Sequence, residues 1–158
     1  MKKNILHTIA LLSWAIMICG GQECPEPSNT NTNFCDGTNQ IETWEEFATA
    51  MKGLRDGDVK VFCPFHIMKT SSSALLIEDE ITIICQEAGK CILDHTANVF
   101  GRRFFKIRGK NAQFTASGFV FQNAGDRSSG TSLTSAVHIG FFAGNGATQR
   151  FCNCDFIG

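Results

Sequence analysis

Two stretches of this chain match position for position without a gap: Asp56-Gly57-Asp58-Val59-Lys60-Val61-Phe62-Cys63 and Glu78-Asp79-Glu80-Ile81-Thr82-Ile83-Ile84-Cys85. Acidic, apolar and Cys positions coincide at a spacing of 22 residues. The match opens a longer pattern of short β-rich runs separated by Gly, Asn, Ser and Asp. One class holds Val59-Lys60-Val61, Ile81-Thr82-Ile83, Gln113-Phe114-Thr115 and the region of Phe151. A second holds Phe65-His66-Ile67, Cys91-Ile92-Leu93, Phe119-Val120-Phe121 and Cys154-Asp155-Phe156; a third holds Leu75-Leu76-Ile77, Phe105-Lys106-Ile107 and Val137-His138-Ile139. The chain cycles through the classes in order. Such a unit cannot bury its apolar side chains alone, whereas stacked units align them into interior rows. A β-sandwich also offers short strands, but the gap-free match favours a three-sided solenoid of about four coils. Longer spacings are absorbed by polar loops such as Thr96 to Arg103 and Asp126 to Ser135.

Thr43 to Leu54 reads differently. Thr43 and Glu46 fit a capping box, in which a hydroxyl and a carboxylate each cover an orphan N–H. Trp44, Phe47, Met51 and Leu54 recur at helical spacing, and Asp56-Gly57-Asp58 ends the run. The stripe predicts a packing face on a helix (43–55) that lies over an open sheet end.

The N-terminus has the pattern of a secretory signal over residues 1–21. Lys2 and Lys3 precede a mostly apolar run from Ile5 to Ile18, and the small residues Gly20 and Gly21 follow. The run is short of the about 20 apolar residues that a membrane span needs, so no stable span is expected after cleavage. Without Lys2 and Lys3 the chain keeps 12 of its 14 basic residues against 15 acidic ones, a formal charge of −3. No basic block points to nucleic acid. Seven of the eight Cys remain, which in an oxidising compartment predicts disulfides and one odd thiol. Among Cys63, Cys85, Cys91, Cys152 and Cys154 there is no C-x-x-C, so zinc is disfavoured. There is no N-x-S/T sequon. Residues 22–42 form an Asn/Thr/Pro-rich leading segment with little to bury.

Disulfide partners stay open. Cys24 and Cys35 would pair with each other; Cys63 and Cys85 would bridge adjacent coils, or Cys85 and Cys91 would close the tight turn between them, which is slightly preferred for its shorter loop. Cys152 and Cys154 share one side of a strand and are too far apart to pair, which leaves their partners beyond residue 158. Asn123 and Asn153 are expected in a turn ladder.

"GDVKVFCPFHI", "ITIICQEAGKCILDH" and "FFKIRGKNAQFTASGFVFQNAG" together resemble the early coils of pectin-lyase-like right-handed parallel β-helix proteins, over residues 56–158. The resemblance implies an all-β fold and leaves the activity open, since that fold hosts lyases, hydrolases, adhesins and proteins without a reaction. The chain closes on "NCDFIG", midway through a coil, so a fragment is expected as readily as a finished domain.

Three constellations bear on chemistry. Stacked coils would put Asp56 near Glu78 and Asp58 near Glu80, a quartet of carboxylates that Ca²⁺ would join, as the resemblance to pectate lyases implies. A solvated turn balanced by Arg108 and Lys110 is the plainer explanation. Lys106, Arg108 and Lys110, with Arg102 and Arg103 before them, would grip the anions of an acidic polysaccharide, though an ordinary solvated face competes. Asp94-His95 echoes a lyase dipeptide without its flanking motif. No paired carboxylates, Gly-x-Ser-x-Gly or Cys–His arrangement nominates a catalytic centre. Tyr is absent and the 14 Phe lie mainly in strand runs, which argues for interior stacking and against an exposed sugar platform. The expected function is therefore that of a secreted, non-catalytic protein with a structural, adhesive or carbohydrate-associating role. The alternative is a polysaccharide lyase or hydrolase acting on an acidic chain.

Overall fold

The computed structural model describes residues 23–26, 35, 40–71, 73–95, 103–123, 137–139 (backbone only) and 146–157. The signal-like residues 1–21, most of the leading segment, Arg102 and most of the two polar loops lie outside the described residues.

Thr43 starts the only helix among the described residues, α1 (Trp44–Lys52). Its hydroxyl accepts from Glu46 N at 3.2 Å, and the Glu46 carboxylate accepts from Thr43 N at 3.1 Å and Glu42 N at 2.9 Å. Those two backbone donors hold the Glu46 carboxyl below its ordinary pKa. Trp44, Phe47 and Met51 form the buried face.

Among the described residues eleven strands follow: β1 (Asp58–Phe62), β2 (Phe65–Lys69), β3 (Leu75–Ile77), β4 (Glu80–Cys85), β5 (Cys91–His95), β6 (Phe105–Ile107), β7 (Gln113–Ser117), β8 (Phe119–Gln122), β9 (Val137–Ile139), β10 (Thr148–Cys152) and β11 (Asp155–Ile157). All pairings are parallel, and the chain visits three sheets in rotation: β1-β4-β7-β10, β2-β5-β8-β11 and β3-β6-β9.

This corrects the expected right-handed parallel β-helix. The described strands make three separate sheets of four, four and three strands, and no closed solenoid of four coils is found among the described residues. The walls are unequal, because the third sheet has three strands of three residues each. Left-handed turn residues mark the corners between sheets. Gly89 and Gly118 have φ of 79° and 76°, and Gly89 N donates to Gly118 O while Gly118 N donates to Cys152 O. Gly118 is further confined by Ala88, whose Cα lies 3.1 Å from where a Cβ would stand.

The register is also shifted from the sequence match. Asp58, not Val59, pairs with Ile81, and Phe62, not Cys63, pairs with Cys85. The turn before β1 causes this. Gly57 N donates to Glu80 O, Asp56 Oδ1 accepts from Glu80 N at 3.0 Å, and Asp58 Oδ2 accepts from Arg55 N at 2.7 Å. A one-residue slip moves side chains to the opposite face. Val59 is accordingly 62% exposed, while Ile81 is buried.

Inside, the Phe residues carry the packing. Phe47 of α1 lies 5.2 Å from Phe62 and 5.7 Å from Phe65, so the helix covers the β1/β2 edge. Phe119, Phe121 and Phe156 then stack in sequence at 6.2 and 5.1 Å. Each fully buried Phe contributes about 1.5–3 kcal/mol by area. Lys69 and His95, paired across β2 and β5, are buried at the end of this interior. The Lys69 ammonium donates to the Ser71 carbonyl and sits 5.2 Å from the Trp44 ring, and burial lowers its pKa.

Among the described residues three disulfides join Cys24 to Cys152, Cys35 to Cys63 and Cys85 to Cys91. Cys24 and Cys35 are thus not bridged to each other, Cys63 is not bridged to Cys85, and Cys152 finds its partner within the chain. Cys154 keeps a free thiol, which burial raises in pKa.

Candidate functional site: the outer face of the first sheet

Alternation along β4, β7 and β10 turns Ile81, Ile83, Phe114, Ala116 and Phe151 toward the core and the residues between them outward. The outward residues form two rungs across the strands. Glu80, Gln113 and Thr148 are aligned in one; Thr82, Thr115 and Arg150 in the next. A third rung, Ile84, Ser117 and Cys152, is buried although it lies outside the core cluster. Its Cys152 carries the bridge to Cys24, which brings Glu23 and Pro25 alongside the first two rungs. Together these residues line a groove of about 400 Å³.

The groove is polar, with hydroxyl, amide, carboxylate and guanidinium groups at the spacing of parallel strands, about 4.8 Å. Hydroxyls and amides both donate and accept, which suits a ligand with many hydroxyls. Glu23 and Glu80 oppose the single positive charge of Arg150, so the lining carries net negative charge. No exposed aromatic ring lines it, so binding rests on hydrogen bonds and should be weak per contact.

The carboxylates expected to hold Ca²⁺ are exposed at the turns before β1 and β4. Asp56 and Asp58 spend carboxylate oxygens on backbone N–H groups, and Glu80 belongs to the groove. No group of three or more His, Cys, Asp or Glu among the described residues is placed to hold a metal ion. A Ca²⁺ ion takes 6–8 oxygen ligands, and two of these four carboxylates already accept from backbone N–H groups.

Lys106 points outward from β6, opposite Leu76, while Phe105 and Ile107 are buried. Arg108 and Lys110 follow in the turn to β7, both exposed. These three therefore lie on the third sheet and its corner, outside the groove lining. Among the described residues no ion pair joins them to the acidic turns.

Asp94 and His95 are separated by alternation, His95 being buried and Asp94 facing out. Asp94 meets another partner: His66 Nε2 lies 3.6 Å from its Oδ2, and Asn123 Nδ2 donates to its Oδ1 at 2.7 Å. Asn123 and Asn153 both adopt positive φ, at 55° and 50°, but at different corners: after β8 and between β10 and β11. They are not rungs of one ladder.

Arg150 was discoverable from sequence, since it holds the same place before Phe151 as Thr115 and Thr82 hold in the other class-one runs. Glu23 was not, because a bridge across 128 residues of sequence places it.

Comparison with family models, with curated proteins and with solved structures finds no match. The three disulfides are consistent with an extracellular protein. No helix among the described residues is long and apolar enough to cross a membrane.

Proposed function

We propose that this is a secreted, non-catalytic carbohydrate-associating protein that holds an extended, neutral polyhydroxylated chain in the groove on the outer face of the first sheet. The observation that carries the reading is the pair of aligned polar rungs, Glu80–Gln113–Thr148 and Thr82–Thr115–Arg150. An extended β-1,4-linked pyranose chain advances per ring by a length close to one strand spacing, so successive rings would meet successive strands. The excess of carboxylate in the lining favours a neutral chain over the acidic polysaccharide expected from the basic residues Lys106, Arg108 and Lys110. Secretion is supported by the signal-like residues 1–21 together with the three bridges.

The test is isothermal titration of the oxidised protein with neutral and uronate-containing oligosaccharides of increasing length. Affinity for the neutral series should grow with length to about three rings, one for each of β4, β7 and β10, and Thr115→Ala with Arg150→Ala should abolish it. Length-independent binding, or none, refutes the reading. Release of an unsaturated uronate during incubation would establish a lyase instead.

A further inference from the structure

We infer that the Cys24–Cys152 disulfide positions Glu23 in the groove and so sets the charge of the ligand it accepts, reduction by an external dithiol shifting preference toward anionic sugars. The inference rests on the carbohydrate-binding reading of the same groove.

Glu23 and Pro25 flank Cys24 and both line the groove. Among the described residues, no hydrogen bond or ion pair ties Glu23, Pro25 or Glu26 to the sheet; the bridge to Cys152 does. Cys152 is firmly held, being 2% exposed and paired with Ser117 in the β7–β10 ladder. The sheet wall and the Glu23–Pro25 wall of the groove are therefore joined by one covalent bond. Cutting it releases one of the two lining carboxylates and leaves Glu80 against Arg150, which changes the lining from net negative to neutral. With one carboxylate fewer in the lining, the Arg150 guanidinium offers a uronate bidentate hydrogen bonds against less like-charge repulsion.

The redox step balances with a dithiol as co-reactant. Its two S–H groups become one S–S bond, and two electrons and two protons pass to Cys24 and Cys152, which end as thiols. Cys154, two residues from Cys152, does not replace that reagent. Its thiol donates to the carbonyls of Ala116 and Cys152 at 3.4 and 3.3 Å, and burial keeps it protonated.

Three proteins distinguish the possibilities: wild type (oxidised), the double variant C24S/C152S, and E23Q with the bridge intact. Each is titrated with cellohexaose and with a galacturonate hexamer, and its free amide NMR spectrum is recorded. Both variants should gain about fivefold for the galacturonate oligomer, the effect of removing one nearby charge in high dielectric. The amides of Thr82, Thr115 and Thr148 should shift in C24S/C152S before any ligand is added. A gain in E23Q without one in C24S/C152S would show that the bridge does not hold Glu23, and overturn the inference. Unshifted groove amides in the double variant would overturn it as well, while leaving cellohexaose binding, and hence the carbohydrate reading, intact. Failure of all three proteins to bind either oligomer removes the carbohydrate reading, and the inference with it.

Discussion

The two ends of the stacked strands are built from the same kind of residue and end differently. At the β1/β2 edge, α1 lays Phe47 against Phe62 and Phe65, and Phe47 is fully buried. At the β10/β11 edge, Phe156 stacks on Phe121 at 5.1 Å yet remains 54% exposed, and its neighbour Ile157 is 51% exposed. Both rings point along the interior row. What separates them is a helix that a Thr and a Glu start at the right place. Burial, and with it most of the stabilisation, comes from what lies over a Phe and not from the strand that carries it.

That contrast can be broken at either end. The largest effect is expected for Phe47→Ala, about 3–5 kcal/mol by chemical denaturation, because it removes a ring that touches Phe62, Phe65 and Phe105. Removing the Cys35–Cys63 bridge at the same end, as C35S/C63S, should cost about 2–4 kcal/mol with the other two bridges intact. Thr43→Ala should cost about 1 kcal/mol by loosening the start of α1. Phe156→Ala should cost less than about 1 kcal/mol; a cost equal to that of Phe47→Ala would erase the distinction between the ends.

The smallest effect sharpens the account at Lys69, beneath α1. Burial lowers its pKa, so above that folded value the unfolded chain binds more protons than the native one. Stability should therefore rise with pH between the folded pKa and the ordinary value of 10.5. Lys69→Met should flatten that rise in melts recorded on the alkaline side of neutrality. An unchanged slope would assign the pH dependence to another group.

Much of this molecule is legible in its residues, and the exceptions have physical causes. The helix follows from local chemistry, since Thr43 and Glu46 act within one turn. The three classes of run correspond to three sheets because alternation and β-branching act within five residues. The closure of those sheets into equal walls does not follow, because it depends on corners such as Gly118 and on the third sheet's brevity. The register of β1 differs by one residue from the match in which acidic, apolar and Cys positions coincide. In the fold, Asp56 and Asp58 are bound into the turn by the backbone N–H groups of Glu80 and Arg55. The groove was hidden for a related reason. Its rungs depend on register, and Glu23 reaches it through a covalent link that no local pattern announces. Likewise the adjacency of Asp94 and His95 is undone by alternation, and His66 takes the place beside Asp94.

The claim on which the functional account depends is that ligand meets the Thr82–Thr115–Arg150 rung. Amide NMR titration of the oxidised protein with cellohexaose tests it most directly. The account predicts saturable shifts at Thr82, Thr115, Thr148 and Arg150, with Lys106 on the third sheet and Arg108 at its corner unmoved. Shifts confined to the third sheet, or no shifts at saturating sugar, would contradict it.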